Sequence, residues 1–336
     1  MSAKSARFAA TFVPLTVEFD FPGRAGAKYA RELAAKLPRG PRRCWGIPFR
    51  LAPKGKRANV LRLARGRKAA IDLGPDRIGT THVCFLHYWE GKYDPDGFAE
   101  PGELLARYRI VYADGASTEV PVRYRYEVGS LSWPWGFHPF RAVRMDDMRT
   151  LDFMNVKTLS PVGWGGLQTD VAGPGGPAWI FAFENPRPDT PIARIEIEGL
   201  HKDAVALAAV TLYAGPGHPL RHNRRAYYRV ELPRGEEVAS MDVDMGVLVR
   251  DAGAAIARDE EWLKAVDAAL GADPAKTKPK KNVRLIEASA ADAATLTVKS
   301  AALRRPELVE RAPKRRKSSY RLSLGEAFHS GVSRDG

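Results

Sequence analysis

Residues 81–128, THVCFLHYWEGKYDPDGFAEPGELLARYRIVYADGASTEVPVRYRYEV, decide how this chain folds. From His82 to Trp89 the run is almost continuously apolar, the composition of a strand covered on both faces. A loop rich in Asp, Pro and Gly follows over residues 90–102. The segments 108–112 and 120–126 then flank the turn Ala113-Asp114-Gly115. Alternation of apolar and polar residues around an Asp-Gly pair predicts an antiparallel hairpin with one buried face.

The same rhythm extends outward. Residues 13–21 alternate with period two and predict a strand, residues 29–37 suit a short helix, and Pro38-Arg39-Gly40-Pro41 ends it. Residues 45–51 read as a further strand start, which Pro48 confines to an edge or bulge. Short strands at 60–63, 70–73, 179–183, 192–197 and 205–212 follow, with Asn185-Pro186-Arg187-Pro188-Asp189 turning the chain. Short strands separated by turns, without helices of crossover length, predict an all-β antiparallel sandwich, with a barrel as the alternative, and disfavour a doubly wound parallel sheet.

Beyond residue 213 the pattern weakens. Residues 214–271 read as a connector with strands near 227–232 and 241–249 and one helix at 254–270. Residues 272–336 read as a basic linker and tail, or as the start of a further domain. No apolar run is long enough for a membrane span. The first twenty residues alternate and contain Pro14, so no signal peptide is expected and the default compartment is the cytoplasm, with export left open.

The net charge of +14 is unevenly placed. Residues 1–60 hold 13 Lys/Arg against 3 Asp/Glu, and residues 272–336 hold 15 against 7. The centre, residues 61–271, is mildly acidic with 25 against 29. No groove-reading or base-stacking motif accompanies the basic ends, so specific nucleic-acid binding is not expected. Cys44 and Cys84 lie in apolar surroundings without CxxC spacing, which fits buried thiols; a single disulfide stays open for an exported protein.

Gly46-Ile47-Pro48-Phe49, Phe85-Leu86-His87, the run 108–115 with Val120-Pro121-Val122, and Asn185-Pro186-Arg187-Pro188-Asp189 together resemble a bacterial jelly-roll module of the galactose-binding-like type. Such modules occur beside glycoside hydrolases and other large hydrolases. The likeness covers residues 8–213 and implies a jelly-roll β-sandwich at 1–213, followed here by a helical or irregular C-terminal extension. It further implies a noncatalytic, carbohydrate-binding accessory domain whose ligand sits in loops at one end, with a partner catalytic domain.

Two loops suit that role. Residues 129–149 place four aromatics and His138 among prolines and glycines, and residues 160–177 carry Trp164 among glycines. Trp89, Trp133, Trp135 and Trp164 form a candidate stacking platform for a sugar or other polar small ligand, with His138, Asp146, Asp147 and Asn185 as hydrogen-bonding partners. The competing reading is that these rings plug the sandwich as ordinary core. Asp94 and Asp96, with Glu100 and Glu103, alternate oxygen ligands as a structural Ca²⁺ would accept, although they fall far short of a full EF-hand loop and a solvated acidic turn is the simpler explanation. No other cofactor is expected. His82 and His87 are five apart, point to opposite faces of one strand and cannot chelate one metal together.

No GxSxG elbow and no phosphate loop occur. Two further readings stay open: an N-terminal hydrolase fragment whose catalytic domain begins within 230–336 and continues beyond it, and an interaction protein that docks acidic partners through its basic ends.

Overall fold

The computed structural model describes residues 8–22, 28–73, 79–91, 99–130, 139–145, 178–233, 235–251, 282–302 and 319–330. The chain forms two compact units, Ala9–Leu220 and a second made of Met1–Phe8 with Arg221–Gly336. Both are built mainly of antiparallel strands.

In the first unit the elements are β1 (Thr11–Pro14), α1 (Lys28–Lys36), β2 (Pro41–Cys44), β3 (Ile47–Arg50), β4 (Leu61–Leu63), β5 (Lys68–Asp72), β6 (His82–Trp89), β7 (Leu104–Tyr112) and β8 (Ser117–Arg123). They continue with β9 (Ala142–Arg144), β10 (Trp179–Glu184), β11 (Ile192–Gly199) and β12 (Val205–Ala214). One sheet runs β1-β12-β6-β10-β9 with β4 beside β12; the other runs β5-β11-β7-β8. Phe85 of β6 meets Tyr108 of β7 with ring centroids 4.8 Å apart, and Trp89 meets Tyr124 at 4.9 Å. The two sheets thus face each other through aromatic side chains, the arrangement of a β-sandwich.

All eight residues of β6 are buried. One face looks into the sandwich. The other is covered by the β2–β3 hairpin: Thr211, the β12 partner of Cys84, donates its hydroxyl to the Pro48 carbonyl at 2.6 Å. This double cover is why the run 82–89 lacks polar alternation. His87 faces Tyr108, whereas His82 faces Tyr213 and His218 on the opposite side.

The β7–β8 hairpin turns at Gly115, whose φ of 86° suits a residue without Cβ. Asp114 supports the turn by accepting from the Ala116 amide at 3.1 Å, and Arg187 clamps Asp114 at 2.6 Å while lying over the Tyr112 ring.

Two expectations shift in detail. The strand foreseen at 13–21 is confined to 11–14: Leu15 still donates to Val210, but the chain then leaves the sheet, and Phe21 bridges to Val60. Trp45, expected to open a strand, instead forms the two-residue turn of the β2–β3 hairpin. Trp45 (φ 54°) and Gly46 (φ 76°) both take the left-handed conformation such turns demand. The indole Nε1 donates to the Arg144 carbonyl at 2.7 Å, which helps hold this uncommon backbone geometry.

The second unit contains β13 (Ala226–Glu231), β14 (Glu236–Val243), β15 (Gly246–Asp251), β16 (Val283–Ala290), β17 (Thr295–Ala302), β18 (Ser319–Ser323) and α2 (Leu324–Ser330). Its sheets run β13-β16-β15 and β14-β17-β18. Val230, Val243, Ile286, Leu296, Val298 and Leu324 are buried. Phe8 stacks on His329, whose Nε2 pairs with Asp292 Oδ1 at 2.7 Å. The helix expected at 254–270 lies outside the described residues. No helix among the described residues is long and apolar enough to cross a membrane.

Candidate functional site

The described groups that converge on one accessible place lie where β8 turns towards β9. After Arg123 the chain makes a tight turn closed by a Tyr124–Val128 bridge, and Arg125 in it takes a φ of 62°. A non-glycine residue in that region is uncommon and is held only by its surroundings. Here Arg125 donates its amide to Val128, Phe140 donates to the Arg125 carbonyl and Arg141 donates to the Tyr126 carbonyl, each at 2.9 Å. The segment leading into β9 is therefore stitched onto the turn. Gly129 permits the close approach, because a Cβ there would stand 3.0 Å from Pro139 and 3.1 Å from Trp179.

Glu127 is the centre of this corner. Its side chain is fully buried, a costly position for a charge unless partners surround it. Oε2 accepts from the Arg123 amide at 3.0 Å and from Arg123 Nε at 3.1 Å. Oε1 accepts from Arg123 Nη2 at 2.7 Å and from Arg141 Nη1 at 3.0 Å. From beneath, His87 Nε2 lies 2.9 Å from the Glu127 carbonyl. A carbonyl only accepts, so Nε2 carries the proton and Nδ1 accepts from the Tyr108 hydroxyl at 3.0 Å. Burial pushes the His87 imidazole down to about 4, outweighing the opposing pull of the Glu127 carbonyl. His87 is thus a neutral prop of the corner.

Above this base, arginines and aromatic rings interleave. Arg123 lies over Tyr126 at 4.5 Å, Arg125 over Phe140 at 5.5 Å, Arg141 over Phe181 at 5.4 Å and Arg144 over Trp179 at 4.9 Å. Tyr126 meets Phe140 edge-on at 5.4 Å. Phe140 is 68 % exposed, an unusual position for a phenyl ring on a rigid scaffold. These groups can stack an apolar ring face and donate hydrogen bonds around it. Among the described residues they include no nucleophile paired with a base.

The residues proposed from sequence fall differently. Trp89 is 1 % exposed, packs against Tyr124 and His201 and directs Nε1 to the Asp203 carbonyl at 3.3 Å. Its ring offers no face for a ligand because the sandwich core occupies both sides. Asn185 is likewise buried. Its Oδ1 accepts from the Tyr112 hydroxyl at 2.6 Å, and its Nδ2 donates to the Thr80 carbonyl at 2.7 Å. It ties the 185–189 turn to the β7–β8 hairpin and leaves little hydrogen-bonding capacity for a ligand. Trp133, Trp135, His138, Asp146, Asp147, Trp164, Asp94 and Asp96 lie outside the described residues. Glu103 and Glu100 shape a turn, the Glu100 amide donating to Glu103 Oε2 at 3.1 Å, while Glu103 also approaches His201 at 3.4 Å. Among the described residues, no group of three or more His, Cys, Asp or Glu is arranged to hold a metal ion.

Asn185→Ala is accordingly expected to destabilise the sandwich by about 2 kcal/mol, since it strips the Tyr112 hydroxyl and the Thr80 carbonyl of partners. Denaturant unfolding followed by tryptophan fluorescence measures this well, because six of the seven tryptophans lie within residues 9–220. A loss below about 0.5 kcal/mol would contradict the scaffold role.

Sequence reasoning passed over the arginines and Phe140. The pattern Arg123-Tyr124-Arg125-Tyr126-Glu127 reads as a strand with outward charges, and only the turn brings Arg123 and Glu127 together. The usable signal was Phe140-Arg141 following a proline-flanked aromatic loop, where a ring and a cation recur on both chain segments. No protein-family model, curated protein or solved structure matches this chain.

Proposed function

We propose that the Ala9–Leu220 unit is a noncatalytic binding module for a carbohydrate or a carbohydrate-like polar ligand, accessory to a larger hydrolase system. The observation that carries this reading is the exposed Phe140 ring set edge-on to Tyr126 and beneath Arg125. A pyranose presents an apolar C–H face to such a ring, and its rim of hydroxyls accepts hydrogen bonds from surrounding guanidinium groups. The backbone hydrogen bonds of Arg125, Phe140 and Arg141 fix the main chain that carries the ring before ligand arrives, which lowers the entropy lost on binding. Residues 131–138 and 146–177 flank in sequence the segment that carries Phe140, and Trp133, Trp135 and Trp164 among them remain candidates for the same ligand.

Affinity electrophoresis of the full chain through gels containing neutral and acidic polysaccharides tests the proposal. The wild type should be retarded by at least one of them. Phe140→Ala should weaken that retention roughly fivefold to tenfold, the worth of one stacking contact of about 1 kcal/mol, with no change in thermal stability. Absence of retardation by every polysaccharide, or retention indifferent to Phe140, would sink the reading.

A further inference from the structure

We infer that the ligand of this corner is anionic: a sugar bearing a carboxylate or a sulfate, received by the exposed parts of Arg123 and Arg141. The inference rests on the binding role proposed above and adds the class of ligand to it.

A single buried carboxylate needs one counter-charge, yet Glu127 is given two. Arg123 engages it through Nε and Nη2, the fork geometry in which guanidinium and carboxylate match best. Arg141 adds a third side-chain contact through Nη1 alone. The formal balance of the Arg–Glu–Arg group is +1. The carboxylate is sealed, while the Arg123 and Arg141 side chains keep 32 % and 49 % of their surface exposed. A guanidinium carries five N–H donors, and Arg141 directs only one of them to Glu127. With about half of the side chain exposed, the donors that Glu127 does not take have access to solvent.

Both cations are also held still. Arg123 is clamped between Glu127 and the Tyr126 ring, and Arg141 between Glu127 and the Phe181 ring. Fixing a guanidinium in advance removes much of the side-chain entropy that an anion would otherwise have to overcome on binding. Phe140 adjoins Arg141 in sequence and meets Tyr126, the ring beneath Arg123. An acidic sugar stacked on Phe140 therefore has donors for its charged substituent in the same neighbourhood.

The outer face of the β5-β11-β7-β8 sheet supplies an internal control. There Glu196 also pairs with two arginines, Arg109 and Arg194, but Glu196 is 23 % exposed. Lys68–Glu198 and Arg107–Glu119 continue the alternation of sign along that face. No exposed large apolar side chain is found on that face among the described residues. The same charge stoichiometry occurs in that place without a stacking ring.

The test is titration of the full chain with polygalacturonate, its fully methyl-esterified form, dextran sulfate and dextran. Esterification removes the charge and keeps the sugar backbone; the sulfate arm separates sulfate from carboxylate recognition. The wild type should bind at least one acidic polymer roughly tenfold or more tightly than its neutral counterpart, as expected for a charge-assisted contact. Arg141→Gln should abolish that preference, Arg141→Lys should retain part of it, and Arg194→Gln should leave it intact. Equal binding of acidic and neutral polymers, with Phe140→Ala still weakening both, overturns the anionic ligand and leaves the binding module standing. Binding of no polymer overturns both. A preference that survives Arg141→Gln, or that Arg194→Gln reduces equally, places the attraction elsewhere on this basic chain and overturns the inference. So does single-stranded DNA of matched charge that binds as tightly through Arg141. Should Arg141→Gln melt below the assay temperature, Arg141→Lys and the esterified pair decide: no difference in either overturns it.

Discussion

Glu127→Ala is expected to lower the stability of the sandwich by about 3 kcal/mol, towards the low end of what breaking a buried ion pair costs. Three losses combine. The Arg123 amide loses its acceptor in a part-buried setting, a space opens under the turn, and two guanidinium groups lose the anion that holds them. The last loss is moderated because both arginine side chains reach water and can rehydrate. Glu127→Gln keeps an acceptor of the same shape and should cost less than half as much, while leaving the corner more positive. Denaturant midpoints of the three proteins, read by tryptophan fluorescence, give the ranking. A Glu127→Ala protein as stable as wild type would show that the carboxylate is not the keystone of the turn. The same variant should also weaken ligand retention, since Arg123 and Arg141 would no longer be held against their rings.

Acid should act on the same corner through His87. The imidazole sits at about 4 in the folded chain against 6.5 for an ordinary histidine, chiefly because burial disfavours its charged form. Above 6.5 neither state binds the extra proton and the His87 contribution is complete. Between 6.5 and about 4 only the unfolded chain takes up the proton, so stability falls with falling pH. Below that window the loss levels off at about 3 kcal/mol. Carboxylates titrate nearby, so the comparison must be with His87→Gln, which lacks this proton site. At pH 7 the variant should be about 2 kcal/mol less stable, because the Tyr108 and Glu127 bonds are imperfectly replaced. That gap should close at about pH 5 and reverse below it, and parallel stability curves for the two proteins would refute the argument. The groups facing His87 are Tyr108, the Glu127 carbonyl and the rings of Phe85 and Phe181; the Glu127 carboxylate nearby also pulls the imidazole up, but burial outweighs it.

Much of the sandwich was legible because its signals are local. The unbroken apolar run 82–89 announces two covered faces, and the Asp-Gly pair with alternating neighbours announces the hairpin. Parity along one strand was enough to separate His82 from His87. What escaped is what depends on distant partners. Asn185 looks like a ligand-binding amide in a turn until Tyr112, 73 residues earlier, is seen to use it. Trp89 looks available until its indole is found bonded to Asp203, 114 residues on. Glu127 and Arg123 are four apart, a spacing that suggests pairing on a helix but not in strand-like sequence. In the second unit, a strand such as β13 buries only Val230 fully, and its apolar Ala226, Tyr227, Tyr228 and Val230 do not alternate with polar residues, which leaves periodicity little to register. The resemblance to a jelly-roll module pointed to loops at one end as the place to look. The described residues best suited to a ligand adjoin residues 131–138 in sequence and are mostly arginines.

The pairing of β1 with β12 has a mechanical consequence. Thr11 stands opposite Ala214, so the chain enters and leaves the sandwich at neighbouring points on antiparallel strands. Tension applied through the two junctions, Phe8 to Ala9 and Leu220 to Arg221, acts across the hydrogen bonds at that end one after another instead of shearing them all together. The four-residue β1 would therefore unzip at low force, ahead of the longer strand pairs behind it, and the sandwich would yield first along its own point of attachment.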